Sequence, residues 1–370
     1  MTLTTAINRA FDVVTRRLDG PLMVVIVVVA AISLASVFSA SGGDSLDRAF
    51  GQLRNFTVAF IAMWIVANVS PQTLMRFAIP VYIVGLMLLV SVALFGEIRN
   101  GARRWLNFGF ITIQPSEIMK LGMPLLLAWY FHKKEEGLGW KDYALAGLIL
   151  MLPTGLVMRQ PDLGTSILVF SSGFFVIFLA GLSWRILIAA GIAGIAFLPV
   201  AWNLLHDYQR ERILTLLDPM KDPLGAGYHI IQSTIAIGSG GILGKGWLNG
   251  SQAQLDFIPE RSTDFILAVF GEEFGLVGTL LLLVLYLIVI GRGFMIAMNA
   301  STTFSRLLAG ALTMSFFTYA FVNIGMVSGI LPVVGVPLPL MSYGGTAILS
   351  LCIGFGMLMS ISTHKQLVRS

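Results

Sequence analysis

The chain has 370 residues, 56% apolar and 12% charged, with a mean hydropathy of +0.84. A soluble domain carries about a quarter charged residues, so this composition excludes a water-soluble globular enzyme and a disordered chain alike. One cysteine and 39 glycines off any period exclude disulfide and collagen scaffolds, and a net charge of +5 without a Lys/Arg block gives no sign of nucleic-acid binding.

The charge-free runs are about 18 residues or longer, the length of a spanning helix rather than the ~10 of a barrel strand. They predict an all-α polytopic membrane protein, one integral domain over 1–370. Ten helices are expected near 21–41, 55–70, 74–95, 115–131, 143–158, 163–182, 184–203, 264–291, 307–330 and 341–362. The first run, Pro21 to Gly43, is too long for a signal-peptide core and reads as a true span. Ten spans put both termini on one side. Arg9, Arg16 and Arg17 before the first span, and Lys133, Lys134 and Lys141 after the fourth, make that side cytoplasmic by the positive-inside rule. The loops 96–114, 159–162, 204–263 and 331–340 then face outward and hold most of the polar clusters, so chemistry or transport is expected at the outer face.

The 204–263 loop is too balanced in charge and too short of core to be a soluble domain. Stripes at Leu205, Tyr208, Ile213, Leu216 and Leu217, and at Tyr228, Ile231 and Ile235, predict two short helices on the membrane surface. Asp218-Pro219 and Asp222-Pro223-Leu224-Gly225 read as turns. Gly238 to Gly246 resembles a phosphate loop only superficially: Ser239 stands where the first glycine belongs and Gly246 where Ser or Thr should be. A glycine-rich surface loop is expected there. Gln114-Pro115-Ser116-Glu117 and Gln160-Pro161-Asp162 echo one another, each opening a helix with proline and an acid, which N1 geometry and the helix dipole already explain.

Ionisable groups at membrane depth are costly and usually functional. Glu117 and Lys120, three apart, share a helix face and can pair, either as a self-neutralising couple or as cavity lining. Asp162 opens the next outer helix. Asp264 follows Ser262-Thr263, which look like an N-cap. Dipole stabilisation of about 0.3–1 kcal/mol accounts for one acid there, but Glu260, Arg261 and Asp264 crowd one helix entrance. Gly271, Gly275 and Gly278 suggest a close-packing face. Glu273 is expected at the watery edge of the span, with Glu272 left open. Arg99, Arg103, Arg104, Trp105 and Asn107 form either a snorkelling collar or an anion site, since arginine forks match phosphate oxygens. His132, His206, His229 and His364 have no metal-ligand spacing.

Several segments together resemble the SEDS family (shape, elongation, division and sporulation). They are Gly101-Ala102-Arg103-Arg104-Trp105, Gln114-Pro115-Ser116-Glu117, Gln160-Pro161-Asp162-Leu163-Gly164-Thr165, Leu217-Asp218-Pro219 and Gly227-Tyr228-His229-Ile230-Ile231-Gln232. Ile258-Pro259-Glu260-Arg261-Ser262-Thr263-Asp264, Gly271-Glu272-Glu273-Phe274-Gly275 and Pro337-Leu338-Pro339-Leu340-Met341-Ser342-Tyr343-Gly344-Gly345 complete the set. Arg261 after Pro259-Glu260 and the short tails fit the rod-shape branch better than the division branch, and Met341 and Thr346 are small departures.

The resemblance implies a ten-helix peptidoglycan glycosyltransferase that polymerises lipid II at the outer face of the inner membrane during elongation. Its implied partners are a class B penicillin-binding transpeptidase, the growing lipid-linked glycan strand and other elongation-machinery proteins. Asp264 is the residue it implies as catalytic, with Glu117, Lys120 and Asp162 in the cavity and Glu272 in support. The chemistry agrees: a sugar hydroxyl needs a base as it attacks, and a carboxylate at the membrane surface supplies one. The departing pyrophosphate needs positive charge, from Arg103, Arg104, Arg261 and Lys120 or from a divalent cation, magnesium or manganese. A lipid II flippase or a non-catalytic scaffold for the transpeptidase would use many of the same features.

Overall fold

The computed structural model describes residues 17–42, 46–99, 102–107, 109, 112–134, 137–160, 162–204, 207–221, 226–255 and 257–364. Arg9, Arg16, Gly101, Pro161, Leu205, His206 and Asp222-Pro223-Leu224-Gly225 lie outside them.

Helices dominate. They are α1 (Gly20–Ala40), α2 (Leu46–Ala67), α3 (Pro71–Phe95), α4 (Pro115–Lys133), α5 (Trp140–Met158), α6 (Leu163–Leu179) and α7 (Trp184–Leu204). After these come α8 (Asp207–Leu217), α9 (Ala226–Gly240), the single turn α10 (Ser251–Gln254), α11 (Ile266–Met298), α12 (Thr303–Val327) and α13 (Gly345–Thr363). Each of the ten expected stretches overlaps one helix, with α2 beginning at Leu46 rather than near 55 and α11 running on to Met298 rather than 291. Among the described residues, seven of these (α1, α2, α3, α5, α11, α12 and α13) are long and apolar enough to cross a membrane, while α6 and α7 are apolar over shorter stretches. The chain is a multi-pass membrane protein. Its exposed leucines, isoleucines, valines and phenylalanines are those of lipid-facing helix sides.

Local chemistry starts the helices where the sequence places them. Asp19 accepts from Leu22 N at 3.3 Å ahead of Pro21. Ser70 caps α3 ahead of Pro71, Asp162 caps α6 by accepting from Thr165 N at 3.0 Å, and Thr302 caps α12. The mostly buried α12 is the central post, packed against α4, α6, α11 and α13. At one end of the bundle Asp19 ties three helices: Arg292 of α11 donates to it twice, at 2.9 and 2.7 Å, and Ser362 of α13 donates at 2.7 Å.

The opposite end carries the irregular elements. The expected loop 96–114 holds three antiparallel strands, β1 (Glu97–Arg99), β2 (Ala102–Asn107) and β3 (Thr112–Ile113). This is the sheet end of the bundle. Between α12 and α13 the chain is non-helical from Ser328 to Gly344 and dips into the bundle, with Val336, Leu338, Leu340 and Met341 buried. Its carbonyls are satisfied by side chains: Asn323 donates to Val336 O at 2.7 Å, Tyr286 to Pro339 O at 2.6 Å and Ser33 to Met341 O at 2.8 Å.

Two expectations are corrected here and a third is extended. α9 is no surface helix: it packs against α11, with Ile230, Ser233 and Ala236 buried. Gly275 does not sit in a smooth packing face but breaks α11, at φ 64° and ψ −161°, a conformation open to glycine alone. The Gly238–Gly246 segment is the largely exposed glycine-rich loop expected there, and it is also the partner of that break. Lys245 N and Gly246 N donate to Glu272 O and Glu273 O at 3.0 and 2.9 Å, while Leu276 N and Val277 N donate to Gly241 O and Ile242 O at 3.0 and 3.1 Å. The bend frees helix groups that lipid cannot satisfy, and the glycine loop approaches closely enough to satisfy them.

Candidate active-site cavity

The site lies at the sheet end, where the segment 257–265 enters α11. That segment is held by its backbone. Tyr343 N donates to Ser262 O at 2.8 Å, Ser342 Oγ to Thr263 O at 2.5 Å and Asn323 Nδ2 to Asp264 O at 2.8 Å. Glu260 sits at φ 50°, turning the chain so that Thr263 N and Phe265 N both donate to its carbonyl, at 3.0 and 3.3 Å. The expected N-cap by Ser262-Thr263 is not formed: α11 starts after Phe265 with no side-chain cap, and Thr263 Oγ1 donates to Glu260 Oε2 at 2.7 Å. Asp264 is therefore not consumed by capping.

Asp264 opens onto a cavity of about 270 Å³ that it shares with Arg104, Glu117, Lys120, Asp162 and Tyr343. Gly335 forms the facing wall, so close that a Cβ there would lie 3.4 Å from Asp264 Oδ2. Outside the spans, ahead of α11, its carboxyl is pushed up to about 6, first by burial, then by the charge of Glu260. Arg104 pulls it down and Asp162 adds a smaller upward push. A carboxylate in this range is still mostly ionised at neutral pH and is a stronger base than an exposed aspartate.

The charged walls are mutually engaged. Glu117 Oε1 receives Lys120 Nζ at 2.5 Å, and Glu117 Oε2 accepts from Ser350 Oγ at 2.5 Å. Lys120 also donates to Tyr319 OH, so a four-residue chain links α4, α12 and α13 beneath the cavity. Asp162 Oδ2 lies 3.2 Å from Arg104 Nε while its Oδ1 caps α6. Beside this cavity an apolar groove of about 340 Å³ runs between α4 and α13, sharing Gln114, Glu117 and Thr346 with it.

The structure thus gathers Asp264, Arg104, Lys120, Glu117 and Asp162 in one place. Arg103 is exposed on β2 and does not line the cavity. Arg261 lines a separate cleft and donates to Ala253 O. Glu272 and Glu273 belong to neither cavity, and neither sits at a watery edge: they are 0% and 1% exposed. Glu272 receives Lys245 Nζ at 2.6 Å, Ser251 Oγ at 3.0 Å and Gln252 N at 3.1 Å, and Glu273 receives Ser39 Oγ. Both clamp the glycine loop and α1 onto the broken helix. Tyr319, Ser350 and Asn323 escaped the sequence reading. Their one signal is a polar group inside an apolar run.

Among the described residues no group of three or more His, Cys, Asp or Glu converges to hold a metal ion. Glu117 and Asp162 have both carboxylate oxygens engaged.

Residues 18–367 match the family model of the FtsW, RodA and SpoVE cell cycle proteins. Peptidoglycan glycosyltransferase MrdB of Escherichia coli (strain K12) is 51% identical over 354 residues, 95% of each chain. A solved peptidoglycan synthase complex, described as coordinating polymerization and crosslinking, contains a chain 34% identical with a TM-score of 0.82, covering 94% of this chain and 99% of that one. The rod shape determining protein RodA of Thermus thermophilus aligns with a TM-score of 0.72 at 26% identity, covering 94% and 98%.

Proposed function

The chain belongs to the FtsW, RodA and SpoVE family, and from that premise we propose that it is a peptidoglycan glycosyltransferase that polymerises lipid II, with Asp264 as its base. The observation that carries the reading is the placing of one uncapped carboxylate in a cavity with Arg104 and Lys120, beside an apolar groove open along two helices.

Lipid II presents a disaccharide on a polyprenyl pyrophosphate. Its tail suits the groove between α4 and α13, and its pyrophosphate suits the cavity beside Arg104 and Lys120. Asp264 takes the proton of the acceptor hydroxyl as that oxygen attacks the donor's anomeric carbon. The bond from carbon to phosphate oxygen breaks, and the pyrophosphate leaves with the electron pair. A single displacement inverts the centre and needs only one carboxylate. Arg104 and Lys120 stabilise the charge that develops on the leaving group, most strongly where water is sparse. Asp162 and the Glu117–Ser350 pair hold those two cations in place without occupying the cavity centre. The proton on Asp264 then passes to water at the open mouth. A divalent cation, magnesium or manganese, would add positive charge to the same pyrophosphate.

The sheet end faces the periplasm in this reading and both termini face the cytoplasm, an orientation that the positive charges around the first and fourth spans support. A class B penicillin-binding transpeptidase is the proposed partner, in keeping with the solved complex that joins polymerisation to crosslinking. The decisive test is purified protein with lipid II in detergent, followed by gel analysis of the glycan. Detergent removes sidedness, so polymer excludes a flippase or an inert scaffold as the full account. No polymer from folded protein refutes the proposal.

A further inference from the structure

One face of α12 reaches the active-site cavity and its walls through three residues about a turn apart, Tyr319, Asn323 and Met326. Tyr319 OH accepts from Lys120 Nζ, and Met326 Sδ accepts from Val334 N at 3.4 Å. Between them Asn323, 0% exposed, donates from its amide nitrogen to two main-chain carbonyls of different segments, Asp264 O at 2.8 Å and Val336 O at 2.7 Å. The first carbonyl belongs to the proposed base. The second adjoins Gly335, the wall that faces the base's carboxyl. Gly335 sits at φ 71°, where a side chain would be strained as well as crowded. Asn323 Oδ1 is buried and has no hydrogen-bond partner among the described residues. An unmet buried acceptor lowers stability, so stability by itself does not account for an amide at this position.

We infer that Asn323 is a positioning residue for Asp264, a neutral staple that sets the distance between the base and the Gly335–Val336 wall. The inference rests on the polymerase reading above. Asp264 precedes α11, so contacts with other segments hold its backbone in place of the helix ladder. Tyr343 N and Ser342 Oγ hold the carbonyls of Ser262 and Thr263 in the same way. Asn323 differs in joining the base and its facing wall through one atom. An amide suits this task because it carries two donors on one nitrogen and no charge. A lysine or arginine there would supply donors but would also make the carboxyl a weaker base. Asn323 touches the main chain and not the carboxyl, so it orients Asp264 without neutralising it. The same helix face holds Lys120 through Tyr319, about 6 Å further along the axis at about 1.5 Å per residue. α12 thus fixes the base and one cation of the leaving-group site to a single rigid element, as catalysis by proximity requires.

Without the staple the wall can part from the base and admit water. The Asp264 carboxyl, raised to about 6 chiefly by burial, should then move down towards its ordinary value. The groups that face it stay as they are: Glu260 on its own segment, Arg104 on β2, Asp162 ahead of α6, Glu117 and Lys120 on α4, and Tyr343, with His229 of α9 stacked on the next residue, Phe265. The test follows polymerisation of lipid II by full-length protein in detergent against substrate concentration and pH. Wild-type protein that makes no polymer overturns the polymerase reading, and this inference with it, before any variant is compared. Asn323→Ala removes both donors and should lower the maximal rate about 10²-fold, the effect of a misplacement of about 1 Å. The half-saturating lipid II concentration should hold, the mark of an interaction felt in the transition state. Activity should persist to lower pH than in wild type, whose acid limb lies near 6. Asn323→Gln keeps both donors and should recover part of the rate. If Asn323→Ala does not fold, Asn323→Ser, with one donor, replaces it with the same expected directions. Tyr286→Phe is the control, since it removes a donor to Pro339 O in the same buried segment, three residues past Val336. It should lower the melting temperature and leave the acid limb in place. An unmoved acid limb in folded Asn323→Ala or Asn323→Ser, no gain in Asn323→Gln over them, or an equal shift in Tyr286→Phe overturns the inference.

Discussion

Replacing Asp264 with asparagine should separate activity from stability in opposite directions. The carboxyl is raised from 3.8 to about 6, chiefly by burial. One pKa unit corresponds to about 1.4 kcal/mol, so keeping the ionised form folded at neutral pH costs on the order of 3 kcal/mol, and less where cavity water screens it. Asparagine keeps the shape and removes the charge. The variant should therefore melt several degrees higher than wild type at pH 7.5 in detergent, while polymerisation falls by about 10²–10⁴, the usual worth of a general base. The pH dependence has a defined sign. Because the folded state holds this proton more tightly than the unfolded state, wild-type stability should rise as pH falls from about 6 towards 4 and level off below. Activity should move the other way, dropping as Asp264 protonates below about pH 6. Asp264→Asn should lack this part of the stability profile. Polymer yield near wild type in Asp264→Asn would remove the residue from the base role. An unchanged melting temperature with an unchanged pH profile would refute the burial argument.

Glu117→Lys and Lys120→Glu should each lower the yield of monodisperse protein, because each sets two uncompensated like charges side by side in a buried site, at a cost of several kcal/mol. The double reversal should recover more than either, measured by size exclusion in detergent; a double variant worse than both singles would show that the 2.5 Å pair is not what matters. Arg104→Lys should insert normally yet polymerise at about a tenth of the wild-type rate, since lysine cannot reproduce the guanidinium fork. Wild-type rates there would make Arg104 part of an interfacial collar. Gly244→Ala should be strongly destabilising, because its Cβ would fall 2.1 Å from Glu273 O; a thermal midpoint within a degree or so of wild type would mean the clamp on the broken helix is dispensable.

What the sequence determined by itself is the membrane-spanning scaffold and the short list of groups that do not belong in it. Long apolar runs have one stable form in lipid, and several of their ends are marked by Asp19, Pro71, Pro115 and Asp162, so the long helices were legible in place, although α2 starts at Leu46 rather than near 55 and α11 runs on to Met298 rather than 291. Glu117 and Lys120 could be paired from spacing alone because three residues is nearly one helical turn. What needed the tertiary structure is every relation between segments far apart in the chain. Arg104 meets Asp162, Asp264 meets Gly335, and Lys120 meets Tyr319, which brings together one strand, two helices and three non-helical segments. No periodicity encodes such meetings. The same holds for Arg103 and Arg261, which share a residue type with Arg104 but face elsewhere, since a side chain's partner depends on how its backbone is carried and not on its charge. Glu272 and Glu273 show the limit most plainly. Counted along the helix Glu273 belongs at a wet edge and Glu272 stays open, yet the break at Gly275 and the glycine loop laid over it bury both. Freed helix groups in lipid must find partners, and which distant segment provides them is decided only when the chain is packed.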